Sequence, residues 1–214
     1  MKREYFNLAR AIAGGPTPCV PCVQYKRCAE SKLACESYEN YYETGEIEQK
    51  GWYIEGELND KWIWWFKNSE IKRVEHYKNG VEEGYFAEYD DGGEELLKGI
   101  YKNGEREGAW LYHVNDHSEL GEYINGRKEG IWLHYYNEEK IRFKGEYSYG
   151  EPKGLHRVWL ESGKLLSSGK YKNGVKHGKW EYYNKEGLLE HTYKYKYGEL
   201  LKVDGKKVLN KKDS

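Results

Sequence analysis

The sequence predicts a mainly β protein: an elongated, single-layer antiparallel meander of β-hairpin repeats, preceded by a small α-helical Cys-rich module. Three observations predict the meander, namely a motif that recurs at a fixed interval, Asn-Gly pairs at the same place in its copies, and short aromatic runs between them. Composition agrees, because 22 Tyr and 8 Trp accompany 25 Gly and only 4 Pro. A hydrophobic fraction of 38 % favours a thin sheet over a thick core, and the aromatic content argues against disorder.

The repeat is clearest in residues 171–180, where Tyr-Lys-Asn-Gly is followed by Gly178 and Trp180. Its leading tyrosine recurs every 24 residues, with one step of 22 that should not break the array. The Asn-Gly pair favours a type I′ turn, since both central residues of that turn need positive φ. Each repeat is therefore predicted to be two short antiparallel strands. The leading tyrosines are Tyr53, Tyr77, Tyr101, Tyr123, Tyr147, Tyr171 and Tyr195.

The pattern Tyr-x-Asn-Gly-x-x-x-Gly-x-Trp-x-x-Tyr, followed by a turn and Gly-x-Tyr, resembles the longer MORN-repeat variant of many bacterial proteins. Some of those proteins are labelled YwqK-type antitoxin components. The resemblance covers about residues 51–200. It implies a binding role, because MORN arrays are described as scaffolds, protein-binding platforms and, in some cases, lipid binders. Asp60 and Glu75 replace glycines of the pattern and His156 replaces its Trp, so distorted repeats are expected there.

Aromatic residues are expected to hold this single layer together by stacking on neighbouring hairpins. In the run from Lys61 to Phe66, strand alternation puts Trp62 and Trp64 on one face. The repeat does not demand Trp64, because Glu88 and Val158 hold the same position elsewhere. Trp64 either packs the N-terminal segment onto the array or belongs to an exposed partner-binding rung. The residues of that rung are Trp64, Tyr112, His134 and Tyr182.

All four cysteines lie in the first 35 residues, as Cys19-x2-Cys22-x5-Cys28-x6-Cys35. Four clustered thiols in a reducing compartment favour a structural tetrahedral Zn²⁺. Disulfides, an iron–sulfur cluster and free thiols remain alternatives. A helix is predicted from about Ser31 to Tyr42, which would place Cys35 on its first turns. Residues 8–45 also resemble small Cys-rich modules of phage and proteobacterial proteins.

The net charge of −1 hides an asymmetry, since residues 1–35 and 191–214 each carry +4 and residues 36–190 carry −9. The basic N-terminal module could contact nucleic-acid phosphates or could simply cap the first hairpin. The acidic body disfavours binding to anionic membranes. The basic residues of the module are Arg3, Arg10, Lys26, Arg27 and Lys32.

Three segments follow: a Cys-rich module at 1–45, repeats at 46–200 and a basic C-terminal cap or tail at 201–214. The lack of a signal sequence and of a long apolar segment predicts a cytoplasmic protein. The sequence contains no phosphate-binding loop, HExxH or nucleophile-elbow motif. His113 and His117 flank a short loop and are a weak candidate for a pair of metal ligands. The sequence thus predicts a non-enzymatic protein-binding scaffold. The resemblance implies an antitoxin-like role in bacteria or phage, and the alternative is a nucleic-acid-associated regulator that uses the Cys module.

Overall fold

A computed structural model describes residues 33–114, 117–136 and 140–208. Within these ranges the chain is built of strands and turns, and no helix occurs that could cross a membrane. Sequential strands pair antiparallel, so the predicted mainly β meander is confirmed. The chain divides into two compact units, residues Met1–His113 and Val114–Ser214.

The first unit holds eight strands, the last of which ends one residue beyond the unit. Each strand pairs antiparallel with the next, except that β4 pairs with both β5 and β6. The strands are β1 (Cys35–Tyr41), β2 (Ile47–Ile54), β3 (Glu57–Trp65), β4 (Ile71–Lys78), β5 (Val81–Glu82), β6 (Gly84–Tyr89), β7 (Glu95–Lys102) and β8 (Glu105–Val114).

The second unit holds nine strands, and each of them pairs antiparallel with the next. Strand β16 crosses the predicted boundary between residues 200 and 201, so the meander continues into the basic C-terminal segment. The strands are β9 (His117–Ile124), β10 (Arg127–Tyr135), β11 (Ile141–Ser148), β12 (Glu151–Trp159), β13 (Leu165–Lys172), β14 (Val175–Tyr183), β15 (Leu189–Lys196), β16 (Glu199–Val203) and β17 (Lys206–Lys207).

The Asn-Gly turns have the predicted type I′ conformation. Asn79 and Gly80 have φ of 51° and 76°, and Asn173 and Gly174 have φ of 51° and 74°. Asn tolerates this left-handed region better than most residues because its short polar side chain bonds locally. The turns therefore fix the register of each hairpin from within a few residues of sequence.

A row of tryptophans packed over glycines forms the core of the single layer. Trp110 is fully buried, and its ring lies flat on Gly99, where an added Cβ would be 2.2 Å from the ring. Its Nε1 donates to the carbonyl oxygen of Ile100 at 3.2 Å. Glycine is therefore required here because the ring takes the space of a side chain. The same arrangement joins Trp62 to Gly51, Trp132 to Gly121 and Trp180 to Gly169; we call these four residues (Trp62, Trp110, Trp132 and Trp180) the tryptophan row.

Two of the three departures from the repeat pattern, Asp60 and His156, leave their repeats undistorted, so the expectation was wrong there. In the third repeat, that of Glu75, the next strand is divided into β5 and β6. Asp60 adopts φ of 61°, close to the 66° of Gly108 in the equivalent place. His156 replaces Trp, yet its Nε2 meets the carbonyl oxygen of Glu146 at 2.8 Å, as the Trp Nε1 atoms meet theirs.

Glu75 occupies a position that is glycine in the pattern, and Phe86 stands where the repeat has Trp, next to Ala87, which pairs with Val74. The Glu75 carboxylate is buried and accepts a hydrogen bond from the Tyr77 hydroxyl at 2.5 Å. Strand β4 stays paired on both sides of this interruption, with β5 through Tyr77 and Lys78 and with β6 through Arg73 and Val74.

The helix predicted from Ser31 to Tyr42 is wrong over the residues of β1. Cys35–Tyr41 is a strand, in which Tyr38 packs against Tyr53 and Trp62 with ring centroids 5.8 and 5.6 Å apart. The edge of β2 supplies backbone partners and the tryptophan row supplies an aromatic surface. Those contacts between distant segments override the local helix preference.

Candidate partner-binding face

Within each unit, the residues of the predicted rung lie on the same face as the tryptophans, two residues further along each strand. Trp64 and Tyr112 belong to the first unit, and His134 and Tyr182 belong to the second. Three rings of the rung lie against the tryptophan row: the centroid distances are 5.9 Å for Trp62–Trp64, 6.0 Å for Trp110–Tyr112 and 6.3 Å for Trp180–Tyr182. All four side chains are half-buried. We call these four residues the aromatic rung.

Trp64 is held by side chains of the neighbouring strands. Its Nε1 donates to Gln49 Oε1 at 2.9 Å, and the guanidinium of Arg73 lies 4.2 Å from the ring centroid. The alternative that Trp64 packs the N-terminal segment concerns residues 1–32, which are outside the described part of the chain. Both interpretations of Trp64 therefore stay predictions.

Positive charges stand over the tryptophan row, a feature that the sequence reasoning missed. Arg106 lies 4.9 Å from the centroid of Trp110, Lys128 lies 3.7 Å from Trp132, and Lys176 lies 4.3 Å from Trp180. Such contacts contribute about 0.5–1 kcal/mol each at exposed sites. The signal was in the sequence, because each cation is the second residue after the glycine of a type I′ turn.

Acceptor side chains link successive repeats, which was also missed. The amide oxygen of Asn59 accepts from the backbone N–H of Asn79 at 3.1 Å, and Glu83 accepts from that of Asn103 at 2.7 Å. In the second unit Glu129 accepts from the N–H of Tyr149 at 2.8 Å. These bonds join each of the three turns to the hairpin before it.

A cluster of ionisable groups surrounds the His134 member of the rung. Glu119 on β9 is the direct cross-strand partner of His134 on β10, and its Oε2 is 3.6 Å from His134 Nε2. His117, two residues before Glu119, lies on the same face, with Nε2 3.3 Å from Glu119 Oε1. Lys128 Nζ is 4.0 Å from Glu119 Oε2.

Burial lowers the pKa of His134 to about 4, although the Glu119 carboxylate opposes that change. The positive charge of Lys128 and the proximity of His117 lower the pKa further. The imidazole of His134 is therefore neutral at neutral pH, and one of its nitrogens offers a lone pair.

Sequence reasoning found only part of this cluster. It placed His134 in the rung and considered His117 together with His113, which lies on β8 with an exposed side chain. The structure brings His117 to Glu119 and His134 instead. Glu119 was missed because its cross-strand partner depends on the register of the shortened repeat.

The Cys-rich module falls largely outside the described residues, as do Cys19, Cys22, Cys28 and the predicted basic contacts. Cys35 is described and is disulfide-bonded, a state that the sequence left open as an alternative. A disulfide removes that thiol from a four-thiolate ligand set, so such a site would first require reduction. Zinc binding by the four cysteines stays a prediction.

Comparison with known proteins adds no family to this picture. The chain matches no family model, and no curated protein matches it. The arguments below therefore rest on the residues and their geometry.

Proposed function

We propose that this protein is a non-enzymatic scaffold that binds another protein through the aromatic face of its hairpin array. The supporting observation is that Trp64, Tyr112 and Tyr182 are large, half-buried aromatic residues at a position where the repeat needs none. Tyr and Trp supply a large contact area at low cost in side-chain entropy, which is why they are enriched at binding hot spots.

The cations on this face indicate the chemistry of the partner. Arg73 stands over Trp64, while Lys176 stands over Trp180 and donates a hydrogen bond to the Tyr182 hydroxyl at 2.9 Å. Positive charge is thus interleaved with aromatic rings, although residues 36–190 as a whole are acidic. A partner segment that carries carboxylates beside apolar side chains complements such a surface.

The resemblance to MORN repeats suggests the setting. In this proposal the array acts in the bacterial or phage-infected cytoplasm, where it sequesters or neutralises one specific protein. The interleaved charges on the aromatic face provide selectivity, because like-charged partners are repelled at close range.

Affinity capture with matched variants of the full-length chain tests the proposal. Tyr112→Glu and Tyr182→Val introduce residues that the same rung already holds at Glu88 and Val158, so the fold should be preserved. The control variants Ile100→Ser and Leu155→Ser change exposed residues on the opposite face. Captured proteins are identified by mass spectrometry, and nucleic acid in each eluate is quantified.

A stoichiometric protein that both control variants retain, and whose affinity falls by about 30-fold in each rung variant, is the expected result. Equal capture by rung and control variants would contradict the proposal. Recovery of nucleic acid alone, lost at high salt, would instead support the alternative in which the basic N-terminal module binds phosphates.

A further inference from the structure

We propose that His117, Glu119 and His134 form a binding site for one divalent transition-metal ion of the Zn²⁺ type. The three residues lie in the second unit on paired strands β9 and β10, with Glu119 directly opposite His134. Other pairs of this rung, such as Phe143 with Val158, show that the repeat requires neither a carboxylate nor an imidazole there. The site is distinct from the cysteine cluster and goes beyond the proposed binding function.

The donor atoms already have the spacing that a metal ion imposes. His117 Nε2 is 3.3 Å from Glu119 Oε1, and His134 Nε2 is 3.6 Å from the other carboxylate oxygen, Oε2, so both distances are near the tetrahedral value. Zn–N and Zn–O bonds of about 2.0–2.2 Å place tetrahedral ligands roughly 3.3 Å apart. All three ligand atoms lie within 4.8 Å of one another, so only small side-chain rotations are needed.

The second observation is an unsatisfied atom. His134 Nε2 is buried and has no hydrogen-bond partner, although an acceptor carboxylate is nearby. A buried polar atom without a partner costs about 1–3 kcal/mol. A metal ion bonded to this lone pair would satisfy the atom and would bring the carboxylate into coordination.

The donor set indicates the class of ion. Two imidazoles and one carboxylate suit Zn²⁺ and its first-row neighbours, whereas Ca²⁺ and Mg²⁺ prefer oxygen ligands throughout. Three protein ligands leave one tetrahedral position for water or for a side chain of a bound partner.

Lys128 opposes metal binding, which provides a sharp test. Its Nζ is 4.0 Å from Glu119 Oε2 and competes with the ion for the carboxylate. The ammonium also rests 3.7 Å from the centroid of Trp132, a contact that it can keep when the carboxylate turns away. Lys128→Met removes the competing charge, so affinity for Zn²⁺ should rise by roughly tenfold.

Calorimetric titration of the full-length protein with Zn²⁺ tests the proposal. His134→Val introduces the residue that the next repeat holds at Val158, and Glu119→Gln keeps the size of the side chain. Any metal bound by the cysteines is common to all chains and cancels in the comparison. Wild type should bind one more equivalent than either variant, or bind it about 100-fold more tightly.

The matched control is His191→Gln. His191 lies opposite Tyr182 of the rung and is hydrogen-bonded to Asp204 at 3.0 Å, so the change removes an imidazole from the same face. Titration with Co²⁺ should give visible ligand-field bands that His134→Val loses and His191→Gln keeps. Equal Zn²⁺ uptake by wild type, His134→Val and Glu119→Gln would overturn the proposal, as would an equal loss in His191→Gln.

Discussion

Replacing Gly99 by Ala should test whether the tryptophan row is the core of the layer. An ideal Cβ at this position would be 2.2 Å from two atoms of the Trp110 ring, whereas carbon atoms in contact prefer about 3.5–4.0 Å. The ring must therefore move by roughly 1.5 Å. It has no room, because Trp110 is fully buried between Phe86 at 5.8 Å and Tyr101 at 5.0 Å.

The expected cost has two parts. Overpacking of a filled site costs about 1–3 kcal/mol, and loss of the bond from Trp110 Nε1 to the Ile100 carbonyl adds about 1 kcal/mol. Ala is a better strand residue than Gly by about 0.5–1 kcal/mol, which offsets part of this. We therefore expect Gly99→Ala to lower the free energy of unfolding by about 2 kcal/mol.

Urea unfolding followed by circular dichroism measures this change. Gly92→Ala is the matched control, because its nearest neighbour is an Asp90 oxygen at 3.4 Å and its φ is not in the left-handed region. The double variant Gly99→Ala/Trp110→Phe should lose less stability than the two single variants lose together. The repeat of Phe86 already combines a smaller ring with a side chain, that of Glu75, at the glycine position. A Gly99→Ala protein as stable as Gly92→Ala would refute this account of the core.

Two further changes probe the turns and the modified repeat. Asn173→Ala should cost about 1 kcal/mol because Asn173 holds φ of 51°, and a lower melting temperature than that of Lys172→Ala would show it. Burial lowers the pKa of His156, so its contribution to stability is complete above the ordinary pKa of about 6.5 and is lost as pH falls through the lowered value. Urea midpoints of His156→Phe should therefore depend less on pH in that range, and an unchanged dependence would contradict this reasoning.

The hairpins could be predicted from sequence because their determinants are local. The Asn-Gly pairs impose type I′ turns, and the glycine found two residues before five of the seven leading tyrosines marks where a ring must lie. His156 shows the limit of this approach, since sequence alone suggested a distorted repeat. Only the structure shows that the imidazole reaches the same kind of carbonyl acceptor as the indole it replaces.

Features that depend on contacts between distant segments could not be predicted. The stretch from Ser31 to Tyr42 has the residue types of a helix. Residues 35–41 form a strand instead, because they pair with the edge of β2 and because Tyr38 packs against neighbouring rings. Glu119 is one of many glutamates in the sequence. Its pairing with His134 follows from strand register, which the shortened repeat made impossible to count with confidence from sequence alone.

The shortened repeat implies a rule for how such an array can change in length. Trp64 and its cross-strand partner Arg73 are nine residues apart, as are His134 and Phe143. In the shortened repeat the leading tyrosines Tyr101 and Tyr123 are 22 residues apart in place of 24. When a hairpin loses two residues, one from each of its two strands, the remaining residues stay opposite their partners. When it loses a single residue, one residue of the other strand has no partner, and a bulge must form. Insertions and deletions, natural or engineered, should therefore be tolerated in this protein in even numbers.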